Sequence, residues 1–376
     1  MNKKILFVSS SIYFYENFLY EIILKINQKN KIYIITNIKD KNLNFNKIHL
    51  KNINFSRSIN PFKDLIDTFK LALLIKSLKP NIIISSTPKG SLITTLANFF
   101  FQIPRIHILT GILWSDTSYN FLNKFSKIID LITIKFSKKI FLDSKSQIDF
   151  LLKHHFPKNK LSLIANGSMK GVNLNKFKYN KAGVQIKKKK LNLSKKSLIL
   201  LYLGRISPEK GIETYISSVI EIAKEGYDIK GLIVGGDEKN ILKKYIKKNK
   251  DFNKYFKHVN HSKEPESFLQ LADILLIPSS REGFCQVAIE ASACEVPIVG
   301  FDVIGLKDSI KKNKTGYLVP FNDKVKFKEK VKLLLNDRNL RRKIGKNGRK
   351  FVKLKYNEKK VLKQFANQLK EIFQKL

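Results

Sequence analysis

The chain has 376 residues, of which 43% are hydrophobic, so it is too long for one ordinary core and too apolar for a disordered protein. Its net charge of +42, from 72 lysines and arginines against 30 acidic residues, favours an anionic membrane surface or nucleic acid as a partner, unless the basic surface is merely solvated. The two cysteines, Cys285 and Cys294, lie in an apolar stretch, which predicts buried thiols in a reducing compartment rather than a redox role.

The N-terminal half alternates short apolar runs with amphipathic segments. Such alternation predicts a parallel sheet with helices on both faces. The predicted strands cover residues 5–8, 31–36, 81–85, 105–110, 138–142 and 161–164, and the predicted helices cover 14–26, 61–78 and 89–100.

The most hydrophobic stretch, residues 90–104, contains Asn98 and Gln102 and is about five residues too short to span a bilayer. We interpret it as a core helix that leads into a strand. Residues 1–8 enter an apolar strand without the pattern of a signal peptide. We therefore expect a cytoplasmic chain that can lie peripherally at the inner face of the cytoplasmic membrane.

The pattern breaks between residues 165 and 197, where turn residues and the lysine run 187–190 predict a linker. It restarts with predicted strands at 197–204, 229–234, 257–260, 274–277 and 297–300, and predicted helices at 211–225, 238–248, 264–272, 285–293 and 324–335. Residues 357–376 form an amphipathic pattern. We expect an α/β protein with two doubly wound domains facing across a cleft: residues 1–170, a linker at 171–196, residues 197–352, and a C-terminal helix at 353–376 that packs back toward the first domain.

The strongest motif follows the apolar run 274–277 and reads Ser279-Ser280-Arg281-Glu282-Gly283-Phe284-Cys285-Gln286-Val287-Ala288-Ile289-Glu290. Glu282 lies in a loop and Glu290 lies two turns into the next helix, so both carboxylates can face one elongated ligand. Gly283 permits close approach of the backbone, and the helix N-terminus attracts phosphate. The alternative is an ordinary helix start, with Glu282 complementing the dipole and Glu290 on a solvated face.

Two further motifs follow predicted strands. In Leu203-Gly204-Arg205-Ile206-Ser207-Pro208-Glu209-Lys210-Gly211, the cations Arg205 and Lys210 can neutralise a diphosphate, although alone they fit an ordinary surface turn. The turn at Gly235-Gly236-Asp237 lacks the full glycine fingerprint of a dinucleotide site, which argues against NAD.

Together these motifs resemble the nucleotide-binding half of family 4 glycosyltransferases, which have the GT-B fold. Further matches are Ala272-Asp273, residues 291–299 reading ASACEVPIV, and Thr315-Gly316-Tyr317-Leu318-Val319-Pro320. The resemblance covers residues 165–350 well. The N-terminal half, through the stretches 86–91 and 166–172, looks like the branch that builds bacterial capsule, O-antigen and lipid-linked glycans.

The resemblance implies a retaining transfer from a nucleotide-sugar without a divalent metal or other cofactor. It assigns the donor diphosphate to Arg205 and Lys210, the donor sugar to Glu282, and the ribose to Glu290. The implied donor-binding set comprises Gly204, Arg205, Lys210, Gly235, Glu282, Gly283, Phe284, Cys285, Val287 and Glu290. The sequence contains no Asp-x-Asp pair and no ligand cluster with zinc spacing.

The acceptor half departs from the family pattern. A histidine common among relatives aligns with Thr110, whereas His107 falls inside a predicted strand, where a structural role is the more usual one. Asp116 is the other candidate for the polar catalytic group of this half. The loop after the first strand reads Ser9-Ser10-Ser11, where the family often has two glycines.

The leading hypothesis is therefore an enzyme that transfers a sugar, with a UDP-sugar as donor, to a lipid-linked or polysaccharide acceptor near an anionic membrane. The alternatives are the same fold acting on a soluble acceptor, a non-catalytic partner subunit, and a nucleic-acid-binding protein. The last has no supporting motif, so no nucleic acid is expected as a partner.

Overall fold

A computed structural model of the chain describes residues 3–38, 48–56, 60–116, 120–194, 196–249 and 251–375. The chain divides into two compact units. Unit 1 comprises Met1–Lys170 and Lys360–Leu376, and unit 2 comprises Gly171–Lys359.

Unit 1 contains a parallel seven-stranded sheet in the order β3-β2-β1-β4-β5-β6-β7. Most of its strands are apolar runs buried on both faces, as parallel sheets require. The strands are β1 (Lys4–Val8), β2 (Lys31–Thr36), β3 (His49–Asn52), β4 (Ile82–Ser86), β5 (Arg105–Leu109), β6 (Lys139–Leu142) and β7 (Leu161–Leu163).

The helices of unit 1 cover both faces of this sheet. They are α1 (Ile12–Phe14), α2 (Tyr20–Asn27), α3 (Pro61–Leu78), α4 (Pro88–Ala97), α5 (Phe121–Lys135) and α6 (Lys145–Lys153), with a π-helical turn at Tyr15–Leu19 between α1 and α2. The crossovers through α3, α4 and α5 all step in the same direction along the sheet, so right-handed connections place these helices on one face. Helix α4 packs between α3 and α5.

Unit 2 contains a parallel six-stranded sheet in the order β10-β9-β8-β11-β12-β13. Its strands are β8 (Leu198–Leu203), β9 (Ile229–Val234), β10 (Phe256–Val259), β11 (Ile274–Ile277), β12 (Ile298–Phe301) and β13 (Gly316–Val319). The helices are α7 (Lys181–Lys190), α8 (Ile212–Lys224), α9 (Ile241–Lys248), α10 (Phe252–Tyr255), α11 (Pro265–Leu269), α12 (Gln286–Ala293), α13 (Leu306–Ser309), α14 (Lys324–Asn336) and α15 (Arg338–Lys355). Strand order reverses between β8 and β11, which creates a switch point at the carboxyl edge of the sheet.

The last helix, α16 (Glu358–Lys375), begins in unit 2 and continues in unit 1. Its apolar stripe contributes Phe365, Leu369 and Phe373 to the core of unit 1, where the ring of Phe365 meets the edge of Phe141 at 5.5 Å between centroids.

The expected α/β class with two doubly wound sheets is confirmed, and most predicted elements lie within a few residues of their observed positions. The sequence pattern did not predict β3, β13, α5, α6 or α15. It also placed a linker where helix α7 lies. Asn180 caps this helix by accepting a hydrogen bond from the Gly183 amide at 3.2 Å, and the lysines at its end complement the helix dipole.

In the described part of the chain, no helix is both long enough and apolar enough to cross a membrane. The predicted core helix at 89–100 is α4, which ends earlier than expected, at Ala97.

Candidate functional site

The three sequence motifs lie in loops at the carboxyl edge of the unit 2 sheet, beside the switch point. Strand β8 leads into the loop that holds Arg205 and Lys210, β9 leads into the turn at Gly235, and β11 leads into the loop that holds Glu282. Ligands of open α/β sheets bind at this edge because loops from neighbouring strands converge there.

Glycines hold the first two loops against each other. A Cβ on Gly235 would overlap the carbonyl oxygen of Gly204, so only glycine permits this approach. The Ile206 amide donates to the Gly236 carbonyl at 3.0 Å. The turn after β9 therefore supports the backbone just before and after Arg205.

Another glycine contact joins the loop after β8 to the loop after β11. Gly211 has φ +70°, and a Cβ there would overlap the carbonyl oxygen of Pro278. The Ser280 amide also donates to the Glu209 carbonyl at 2.9 Å. These contacts fix the end of the Lys210 loop beside the start of the Glu282 loop.

Lys210 and Glu282 form the central ion pair of the site. The Lys210 ammonium lies 2.7 Å from Oε2 of Glu282, whose side chain is only 8% exposed. A carboxylate so removed from water requires a charged or hydrogen-bonded partner, and Lys210 supplies it. This cation and this carboxylate, 72 positions apart in sequence, thus meet at one point.

Gly305, in the loop after β12, extends the site by one more strand. It has φ +82°, and a Cβ there would overlap the carbonyl oxygen of Gly283. The backbone at Glu282 and Gly283 is therefore held between the loops after β8 and β12. Gly305 was not among the predicted site residues, although a glycine just after a buried strand is a sequence feature typical of a binding loop.

Glu290 is buried on helix α12. The alternative interpretation, which placed Glu290 on a solvated face of an ordinary helix, is therefore wrong. The Gln286 amide nitrogen donates to Oε1 of Glu290 at 3.1 Å and to the Gly171 carbonyl at 2.8 Å. Gln286 thus positions Glu290 and ties it to the first residues of unit 2. Gln286 was not among the predicted site residues, and its contact with the distant Gly171 has no signal in the local sequence.

Cys285 lies among the charged groups of the site. Burial raises the pKa of its thiol well above the usual value, the negative charges of Glu282 and Glu290 add to the increase, and the positive charge of Lys210 opposes it. The charges of all three groups therefore act on the Cys285 thiol, in keeping with the contact between Lys210 and Glu282. The thiol itself stays protonated and is a poor nucleophile.

The two apolar members of the predicted donor set are structural neighbours of this region. Phe284 is buried against the ring of Tyr356, with 5.3 Å between centroids, and Val287 packs half-buried on the unit 2 core. Their side chains pack at the start of α12.

Arg205 differs from Lys210 because its side chain is 64% exposed. Its guanidinium lies 3.7 Å from the Glu209 carboxylate, and its carbonyl accepts a hydrogen bond from the Tyr202 hydroxyl at 2.7 Å. Burial alone would raise the pKa of Glu209, but hydrogen bonds and the charges of Arg205 and Arg281 keep that pKa below its usual value. The structure thus anchors the Arg205 backbone and leaves the guanidinium accessible to a ligand.

His107 of unit 1 lies inside β5 and is 2% exposed. Its Nδ1 is 3.1 Å from the Ser85 carbonyl and 3.2 Å from the Ser85 hydroxyl. Burial, aided by the nearby positive charge of Arg105, lowers the pKa of His107 to about 3, so the ring is neutral at physiological pH. This position suits a structural histidine and does not favour the catalytic role predicted for it.

Asp116 lies on the surface of unit 1, in a loop that leads toward α5. Its carboxylate is 2.7 Å from the Lys153 ammonium and 2.7 Å from Nε2 of His154. A hydrogen bond from Lys153 is the main cause that lowers the pKa of Asp116. The side chain is therefore an ionised partner of two basic residues on or beside α6, and its contacts with them lower its affinity for a proton.

A cluster of hydroxyls marks the corresponding switch point of unit 1, between β1 and β4. The Ser10 amide and hydroxyl lie 3.1 and 2.9 Å from the Thr87 hydroxyl oxygen. Thr87 adopts φ +63°, a conformation that non-glycine residues rarely occupy. In the sequence, Ser10 stood out only because the loop after the first strand departs from the family pattern, and Thr87 only because the stretch 86–91 matches it.

No group of three or more metal-ligating side chains with the geometry of an ion site occurs among the described residues. The carboxylates of the unit 2 site are instead positioned by Lys210 and Gln286.

Comparisons with known proteins agree with this geometry. A family model described as "Glycosyl transferases group 1" matches residues 184–351, which include the whole unit 2 site. The capsular polysaccharide biosynthesis glycosyltransferase CapM of Staphylococcus aureus is 33% identical to the chain over 314 residues, which are 81% of this chain and 80% of CapM.

A second relative is the N,N'-diacetylbacillosaminyl-diphospho-undecaprenol alpha-1,3-N-acetylgalactosaminyltransferase of Campylobacter jejuni, 26% identical over 90% of both chains. Among solved structures, Anabaena HepE in complex with UDP and glucose has a TM-score of 0.82 at 15% identity and covers 98% of this chain and 100% of that one. The last likeness concerns the fold and confirms the GT-B architecture. The chain belongs to the group 1 glycosyl transferases.

Proposed function

We propose that this glycosyltransferase moves a sugar from a UDP-sugar to a lipid-linked acceptor in the synthesis of a cell-surface glycan, with retention of the anomeric configuration. The names of CapM and of the Campylobacter transferase support the surface glycan and the lipid-linked acceptor. The UDP and glucose bound to HepE support the donor class.

The observation that carries the proposal is the Lys210–Glu282 pair at the switch point of unit 2, with Arg205 on the same loop as Lys210 and Glu290 on the helix that follows Glu282. A site that combines cations with carboxylates suits a ligand with phosphates at its centre and hydroxyls at both ends. A nucleotide-sugar has this distribution.

In the proposed complex, Arg205 and Lys210 bind the diphosphate, Glu282 accepts hydrogen bonds from sugar hydroxyls, and Glu290 accepts them from the ribose. The amides of Gly283 and Phe284 lie beside the sugar or the phosphates. As the glycosidic bond breaks, negative charge grows on the diphosphate, and the two cations stabilise it more strongly than in the ground state.

Retention follows if the acceptor hydroxyl attacks the anomeric carbon from the face that the diphosphate leaves. The acceptor proton then passes to an oxygen of the departing phosphate, so no protein base is needed for this transfer. This route agrees with the positions of His107 and Asp116, neither of which is prepared to act as a base.

A thermal-shift screen with UDP-, GDP- and ADP-sugars tests the donor, because a ligand that binds only the folded state raises its melting temperature. We expect a shift with UDP-sugars that Arg205→Ala and Lys210→Ala abolish, and a loss of transfer activity of about 10²–10³-fold in each. The exposed residues Arg342 and Glu329 provide matched controls, since their alanine variants should behave as wild type. Wild-type activity in Arg205→Ala and Glu282→Ala would refute the proposal.

A further inference from the structure

Helix α3 of unit 1 is apolar on its solvent face as well as on its buried face. Asp67, Leu71 and Ile75 face the core, yet Phe62, Leu65, Ile66, Phe69 and Leu73 are all exposed, and Phe62 is 85% exposed. These five residues have the spacing of one helical stripe. An apolar stripe of this length in water is costly and indicates a surface that contacts an apolar phase.

Helix α5, on the same face of the sheet, presents a second exposed stripe. Phe121, Leu122, Ile128 and Leu131 are exposed along it, and the ring of Phe121 stacks on Phe125 with 6.0 Å between centroids. Because α4 packs between α3 and α5, the two stripes belong to one continuous face of unit 1.

The end of α4 completes this face. Leu96, Phe99, Phe100 and Phe101 are exposed there, and Phe100 is 87% exposed. The ring of Phe99 meets Phe136, at the end of α5, with 5.9 Å between centroids. We name the exposed side of α3, α4 and α5, with residues 99–101 and Phe136, the apolar face.

Positive charge surrounds the apolar face, while its acidic residues are already engaged. The carboxylates on these three helices are Asp64, paired with Lys89, Asp67, paired with Lys63, and Asp130, bonded to the Trp114 indole. The exposed lysines comprise Lys70, Lys76, Lys124, Lys135 and Lys138, and within the described segments none of them has a carboxylate at ion-pair distance. The surroundings of the face are therefore basic.

A cavity of about 660 Å³ opens at the edge of the face, between the ends of α4 and α5. Lys135, Lys138 and Lys160 line it together with Phe99 and the buried Arg105. Its lining combines cations with exposed rings, as a phosphate attached to an acyl chain would require.

We propose that the apolar face binds the surface of an anionic lipid bilayer, with its phenylalanines and leucines at the level of the acyl chains and its lysines among the lipid phosphates. Exposed apolar side chains and basic residues together give stable binding where either alone is weak. A nucleic acid would bind the lysines but leave the apolar stripe of α3 in water. The inference rests on the proposed function only for its purpose, the delivery of lipid-linked acceptors, and its test needs no sugar donor.

The test is co-sedimentation of the full chain with phosphatidylcholine vesicles, with and without phosphatidylglycerol. We expect binding that requires phosphatidylglycerol and that falls at least tenfold in the triple variant F62S/F69S/F121S. A control variant, Y179S/I186S/V325S, removes three exposed apolar side chains from unit 2 and should bind as wild type.

A second pair of variants separates local charge from total charge. Lys70→Glu with Lys124→Glu and the control Lys244→Glu with Lys350→Glu change the net charge equally, because all four lysines are exposed. At about fivefold per basic residue near the surface, the first variant should lose at least 25-fold in vesicle binding and the control much less.

Equal losses in the face variants and their controls, or none, would overturn the proposal. A wild-type dimer that the triple variant converts to a monomer would also overturn it, by assigning the face to a second copy of the chain. The melting transition of each variant without ligand shows that it is folded, and a thermal shift with UDP-sugar in the same variants reports on the donor site independently.

Discussion

Removal of the charges of Lys210 and Glu282, one at a time and together, should reveal how strongly the two groups depend on each other. Lys210→Met leaves a carboxylate that is 8% exposed without its cation. Loss of a hydrogen-bonded charge partner from such a site costs about 1–3 kcal/mol in the free energy of unfolding. The lower half of that range applies, since the Lys210 side chain is 27% exposed and water screens the pair.

The double variant Lys210→Met with Glu282→Gln should recover part of this loss, because an uncharged pair leaves no unpaired ion in the buried position. We expect a coupling energy of about 1–2 kcal/mol from the cycle of single and double variants. The double variant should nevertheless fail to bind or transfer the sugar, since stability returns without the charges that the ligand needs.

Urea unfolding followed by circular dichroism measures the cycle. The single tryptophan, Trp114, lies in unit 1, so its fluorescence separates the unfolding of that unit from the change in unit 2. If the effects of the single substitutions add within about 0.5 kcal/mol, the pair contributes nothing to stability and our reasoning about this site is wrong.

Two further predictions concern backbone and burial. Gly211→Ala should destabilise the protein by more than about 1–3 kcal/mol, because the strain of a left-handed backbone adds to an overlap between the new Cβ and Pro278. The control Gly226→Ala, at φ +94° with no neighbouring atom near the new Cβ, should show the strain alone. Thermal unfolding compares the two variants, and equal losses of stability would contradict the close approach of Gly211 to Pro278. Because burial and the charge of Arg105 lower the folded-state pKa of His107 to about 3, against about 6.5 when unfolded, only the unfolded chain takes up this proton between those values. The contribution of the neutral His107 ring to the free energy of unfolding is complete above pH 6.5 and should fall by about 1.4 kcal/mol per pH unit below it. In His107→Gln, the free energy of unfolding measured with urea should therefore depend less on pH between about pH 6.5 and 5. An unchanged pH dependence would show that the ring is not buried as described.

The sequence predicted those elements well whose local signals agree with their tertiary environment. Residues 61–78 were predicted with the observed bounds, because Asn60 caps the helix, Pro61 starts it and Lys79 ends it in a left-handed conformation. The strand at 274–277 was predicted correctly because a short apolar run buried on both faces has little alternative. Helix α5 was missed, since apolar residues lie on both its buried and its exposed sides and weaken the amphipathic pattern.

The candidate site shows the same division between local and long-range information. Strand ends, glycines and charged residues are local features, and together with the family resemblance they selected Glu282, Lys210 and Arg205. The contact of Gln286 with Gly171 joins segments 115 positions apart, so no spacing could predict it, whereas the contact of Gln286 with Glu290 is an i,i+4 pair within α12. For His107 the local signal and the structure agree: its place inside a predicted strand favoured a structural role, and the observed strand β5 buries the ring.

Backbone contacts at glycines, rather than the charged side chains, determine how the four loops of the unit 2 site fit together. Gly235 lies against Gly204, Gly211 against Pro278, and Gly305 against Gly283, each so closely that a Cβ would overlap a carbonyl oxygen. Because these contacts do not involve a ligand, the loops are in place before a donor binds, which lowers the entropic cost of binding. Substitution of Lys210 or Glu282 therefore changes the charge of the site and leaves its shape, whereas substitution of a glycine moves the loops and with them every group that they hold.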